Sequence, residues 1–168
     1  MEELLDGDLD PLELETETGD ELEDYDRRCV RVRLENTELL AGFVEWLRAQ
    51  GLSESTVKKH LDNIDFYVND FLLYEDVQTA AEGIIEVGYY LGFWFIRKAM
   101  WSSPASIRAN AASLKKFYRF MFEEGRVVES ELAILKETIK EELPDWLETM
   151  RKYADPSIEP EDVWEFPF

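Results

Sequence analysis

Apolar positions recur at helical spacing along most of the chain. In the stretch TELLAGFVEWLRAQ, Leu39 or Leu40, Phe43 and Leu47 share a face, Asn36 or Thr37 stands where a cap is wanted, and Gly51 suits the C-terminal turn. A second helix is predicted after Ser53, with Val57, Leu61, Ile64, Val68, Phe71 and Leu72 at three- and four-residue steps. Residues 79–100 predict a third, apolar nearly all round in its second half, as befits a central helix contacted on several sides. Gly88 and Gly92 within it would let a neighbouring backbone approach closely. Ser103 and Pro104 open a fourth helix and Gly125 closes it. Ser130 to about Glu142 forms a fifth, carrying Leu132, Leu135, Ile139 and Leu143, and Pro144 starts a short sixth with Trp146, Leu147, Met150 and Tyr153.

The expected fold is therefore all-α, a compact bundle of five to six helices over residues 36–155. Outside it the pattern changes. Residues 1–26 carry thirteen acids, no base and no sustained apolar period, which predicts a disordered acidic N-terminal tail. Residues 27–35, RRCVRVRLE, alternate Val30, Val32 and Leu34 with arginines and read as a short basic arm or edge strand. Residues 156–168, DPSIEPEDVWEFPF with its leading Asp155, form an acidic, aromatic and proline-rich C-terminal tail.

Composition sharpens this picture. Hydrophobic residues make up 45% of the 168, with five Trp, enough for a core without metal or disulfide. The single Cys29 excludes an internal disulfide and any paired-cysteine zinc site, and with an N-terminus unlike a signal peptide it points to a cytoplasmic protein. The most apolar run, VGYYLGFWFI, is about half the roughly 20 residues that span a bilayer, so no membrane partner is expected.

Candidate chemistry is sparse. His60 is the only histidine, so neither a His-Cys dyad nor a two-His metal site can be built, and it reads as solvated or DNA-facing. Asp6, Asp8, Asp10 and Glu17 imitate a calcium loop, but Pro11 stands where such a loop needs glycine and no amphipathic helix flanks it. No glycine-rich phosphate cradle occurs. The expectation is a non-enzyme with no cofactor and no metal.

The charge distribution carries more. The formal net charge is -20, yet residues 87–122 contain no carboxylate and hold Arg97, Lys98, Arg108, Lys115, Lys116 and Arg119. On a helical wheel of the fourth helix, Ile107, Ala111, Leu114, Phe117, Tyr118 and Met121 form the buried stripe. Arg108, Ala112, Lys115 and Arg119 form a neighbouring ridge with Lys116 beside it. Cations for phosphate, with Asn110, Ser113 and small alanines for close contact, suit approach to a nucleic-acid backbone. Ser55, Lys58, Lys59 and His60 repeat the theme in the first two turns of the second helix.

The segments FVEWLRAQGLSESTVKKHLDNIDFYVNDFL and SSPASIRANAASLKKFYRFMFEEGRV, in this order and separated by a central helix, resemble the N-terminal core-binding domain of phage-integrase-type tyrosine recombinases. Leu52, Ser53, Thr56, Phe66, Ile107, Leu114, Phe117, Tyr118 and Gly125 carry the likeness, which covers residues 37–128. The resemblance implies a SAM-like helical bundle that clamps one side of double-stranded DNA. Ser55, Lys58 and Lys59 on the second helix, and Ser106, Arg108, Lys115 and Arg119 on the fourth, would then face the duplex. The family's catalytic domain supplies an arginine, a lysine, a His-x-x-Arg pair and a tyrosine nucleophile, and the segment after Gly125 holds no histidine. Recombination would thus need a separate catalytic domain or protein, which the C-terminal tail could contact. A second reading is a protein-interaction or regulatory module that keeps the bundle without DNA affinity, since a charge of -20 opposes another polyanion. An acidic surface is also expected of proteins that work in high salt, where repulsion is screened.

Overall fold

The computed structural model describes residues 11–164, with side chains from Gly19 onward. Its first helix, α1 (Pro11–Ala49), has 39 residues and is about 58 Å long at 1.5 Å per residue. The segment expected to be disordered enters this helix at Pro11, and its first ten residues, with most of the calcium-like motif, lie outside the described residues. The basic stretch 27–35 is helical too, not an extended arm or strand.

The alternation of Val30, Val32 and Leu34 was the misleading signal. Val30 and Leu34 are 57% and 66% exposed, whereas the buried stripe runs through Cys29, Val32, Asn36, Leu40, Phe43 and Leu47 at helical steps. Its upper half packs Cys29 and Val32, with Tyr25, onto Leu73 and Val77 in a small separate cluster. The Tyr25 hydroxyl donates to the Leu73 carbonyl there. Asn36 is not a cap. It sits mid-helix, 1% exposed, and its Nδ2 donates to the Val68 carbonyl at 3.2 Å and to Asn69 Oδ1 at 2.9 Å.

That contact follows from the next helix. α2 (Glu54–Phe66) is capped by Ser53, whose side chain accepts the Thr56 N–H, and continues as a π turn over Tyr67–Phe71. The Leu72 N–H bonds to Tyr67 O at 3.0 Å instead of to Val68 O, and Asn36 satisfies the carbonyl so released.

The third element, α3 (residues 82–98), is a helical path in pieces: a 3-10 segment Glu82–Glu86, α turns Val87–Tyr89 and Phe95–Lys98, and a π segment Tyr90–Trp94 between them. It starts later and is less regular than its apolar run suggests, while Tyr90, Leu91, Trp94, Phe95 and Ile96 are all buried. α4 (Pro104–Glu123) matches its expected limits. Ser103 and Ser106 form a capping box, Pro104 occupies the first turn, and the helix ends in a Schellman motif. There the Arg126 N–H reaches Met121 O and the Gly125 N–H reaches Phe122 O, with Gly125 at φ +74°.

α5 (Glu129–Ala154) joins what the sequence divides into a fifth and a sixth helix. Pro144 lies inside it. Pro144 and Lys140, whose carbonyl the proline leaves without its helical donor, are both exposed residues, while Leu132, Leu135, Ile139, Trp146, Leu147 and Met150 keep one buried line on either side. Among the described residues the chain thus has five helices and no strand. Phe43 of α1 meets Phe117 and Phe120 of α4 at ring distances of 5.3 and 5.7 Å, and one large core joins all five helices.

Gly92 does permit a close approach, though by a side chain: a Cβ there would lie 2.8 Å from Trp146 Cδ1. The Trp164 indole N–H caps the same place by donating to Gly92 O at 3.0 Å, so this part of the C-terminal tail packs on its own bundle; Phe166 and Phe168 lie outside the described residues. Gly92→Val is expected to destabilise the fold by about 3 kcal/mol through overpacking against the indole. Urea unfolding followed by tryptophan fluorescence measures this, and an unchanged midpoint would contradict the packing described.

Candidate nucleic-acid interface

α2 and α4 lie side by side and run antiparallel. His60 and Asn63 meet Ser113 in the middle of α4, while Phe66, further along α2, packs on Trp101 ahead of α4 at 5.0 Å. The buried face of α4 holds Ile107, Ala111, Leu114, Phe117, Tyr118 and Met121 as the periodicity requires. The outer face presents Arg108, Lys115 and Arg119, with Lys116 half-buried toward α2.

The nine candidate residues fall into four groups. Lys59, Arg108, Lys115 and Lys116 carry no ion pair with a carboxylate among the described residues, and they form the basic core of the α2–α4 surface. Lys58 and Arg119 also lie on this surface but are paired within their own helices, with Asp62 at 2.8 Å and with Glu123 at 3.6 Å. Ser55 is exposed beside the Ser53 cap. Ser106 and His60 are committed elsewhere.

Ser106 closes the capping box: its hydroxyl accepts the Ser103 N–H at 2.8 Å, and its N–H donates to Ser103 Oγ at 3.0 Å. His60 is half-buried and turned toward α4. Its Nδ1 lies 2.7 Å from Ser113 Oγ, which also accepts from Asn63 Nδ2 at 3.0 Å. Asn110 and Ser113, whose short polar groups suggested close outward contact, are 2% and 0% exposed, and Asn110 donates inward to Ser106 O at 2.8 Å. The polar seam therefore joins the two helices, and contact with an external polyanion is left to the cations. Asn63 was legible as its partner only by its place three residues after His60.

Burial, and then the charge of Lys116, push the His60 pKa below its ordinary value. The unfolded chain takes up a proton near pH 6.5 while the folded ring resists it. Stability contributed by the neutral ring is thus present above about pH 6.5 and is lost as pH falls through the folded value. As His60 is the only histidine, its ring protons titrate unobscured in NMR. The expected midpoint lies below 6.5 and rises in Lys116→Gln; a midpoint at or above the ordinary value would contradict the buried seam.

The other two cations of the acid-free window act on aromatic rings. Arg97 lies 5.0 Å from the Phe93 centroid, and Lys98 lies 5.2 Å from that of Tyr74. Asp62 and Glu123 are the carboxylates paired with cations of this surface. The α1 segment at residues 19–26 is anchored through Tyr25 to Leu73, about 20 Å along α2 from His60 at helical rise. On the outer face of α5, a hydrogen bond to Glu141 and repulsion from it raise the Glu137 carboxyl above its ordinary pKa. No group of three or more metal-ligating side chains occurs among the described residues, and none of their helices is long and apolar enough to cross a membrane. No protein-family model, curated protein or solved structure matches the chain.

Proposed function

We propose that this chain is a non-catalytic module that binds double-stranded DNA through α4 and the first turns of α2, in the manner of the SAM-like core-binding domains that it resembles. The observation that carries the reading is the set Lys59, Arg108, Lys115 and Lys116, exposed or half-exposed on two packed helices and without an ion pair to a carboxylate among the described residues. Cations so placed exchange their counterions with those condensed on the phosphate backbone, a contribution independent of base sequence. The acids on α1 and on the outer face of α5 are repelled by the same backbone, which favours docking by the basic face. Any strand cleavage in this reading belongs to a separate catalytic domain or protein.

Fluorescence anisotropy with a short labelled duplex tests the proposal. The duplex is expected to bind more tightly than a polyglutamate of matched charge at low salt, and equal affinity would overturn it.

One observation favours the alternative of a protein-interaction module. Ile85 and Ile134 are 79% and 65% exposed and line one groove of about 150 Å³ between α3 and α5. A partner bound there would be lost in Ile85→Ser with Ile134→Ser, a change that leaves the basic face intact.

A further inference from the structure

We infer that a pocket at the junction of α2 and α3 binds an organic ammonium cation. The cavity measures about 190 Å³, room for roughly six waters at about 30 Å³ each and adequate for a methylated ammonium head. Four aromatic residues line it. Phe71 and Trp94, 5.0 Å apart, are buried, while Tyr74 and Tyr89 are 52% and 49% exposed. The lining also includes Glu75, Asp76 and Glu86 and contains no lysine or arginine.

This combination selects for charge. Ring faces attract a cation within about 6 Å of their centroids, and the carboxylates add a net field of the same preference. Tyr74 already holds one ammonium of this chain, that of Lys98, at 5.2 Å from its centroid. A methylated ammonium suits the aromatic walls because its methyl groups pack on the ring faces while its charge is drawn by the rings and the nearby carboxylates. A ligand bearing its own carboxylate is disfavoured by the three acids. The local backbone is unusual in the same place: Phe71 and Trp94 are the last residues of the two π segments, a helical irregularity that recurs at functional sites.

The site is independent of the basic face, so it stands or falls apart from the DNA reading. Calorimetric titration of the full chain with choline, and with the neutral isostere in which a tert-butyl group replaces trimethylammonium, tests it. Choline is expected to bind saturably and about tenfold more tightly than the isostere, and more tightly than glycine betaine. Tyr89→Ala is expected to weaken choline about fivefold and Tyr89→Phe to preserve it, with unchanged circular dichroism in both. Lys98→Gln should not weaken it. A peptide carrying trimethyllysine assigns the source: tighter binding than choline points to a modified protein, weaker binding to a free amine. Equal affinity for choline and isostere, absence of choline binding, or indifference to Tyr89→Ala would each overturn the inference.

Discussion

Replacing Lys59, Arg108, Lys115 and Lys116 together with glutamine is expected to lower duplex affinity at least a hundredfold at low salt. The reason is counterion release: four phosphate contacts give a slope of about -3.6 in log affinity against log salt. Each fourfold reduction in salt is then worth about two orders of magnitude to the native chain, and the variant forgoes that gain. Lys58→Gln with Arg119→Gln should cost much less, because Asp62 and Glu123 already hold those charges and would have to release them to phosphate. Folding should be nearly unaffected in both, since surface substitutions of this kind stay within about 0.5 kcal/mol. Anisotropy titrations of the two variants decide the matter. Equal losses would mean that total charge, not the unpaired set, governs binding.

Phe43→Ala carries the largest expected effect on stability. The ring is 0% exposed and meets Phe117, Phe120 and Trp46, so its removal opens a cavity where α1 supports α4. Loss of a buried phenylalanine costs about 3–5 kcal/mol, a large share of the roughly 5–15 kcal/mol available to a domain. The consequence extends to the surface, because Phe117 and Phe120 set the seat of the helix that carries Lys115, Lys116 and Arg119. Phe43→Leu should recover most of the loss by keeping apolar volume. Urea denaturation measures both, and a cost below about 1 kcal/mol for the alanine variant would contradict the described packing.

The sequence made α4 legible because every local signal agreed: the Ser103 cap, Pro104, the apolar stripe and Gly125 each had one physical meaning. α1 was less legible because its buried line passes through Cys29 and Asn36, which an apolar pattern skips, while the arginines between Val30, Val32 and Leu34 supplied a false alternation. Pro144 misled in the opposite direction, since a proline on a solvent-facing side can remain inside a helix whose buried line continues past it. The cations of the candidate site could be read from the wheel alone. What could not be read was the cross-helix bonding that joins His60 and Asn63 to Ser113, because it depends on how α2 lies against α4, nor that Asn110 turns back onto its own helix. The aromatic and acidic pocket was equally hidden, as it joins residues from two helices and the loop between them.

Whether the basic α2–α4 face of this acidic protein meets duplex DNA is decided by the salt dependence of the native chain's affinity. The plot of log affinity against log salt is expected to be linear with a slope of about -3.6, accompanied by a rise in the His60 NMR titration midpoint as phosphates offset the charge of Lys116. Duplex affinity that is undetectable at low salt, or independent of salt where it is detected, would show that this face is not a DNA-binding surface.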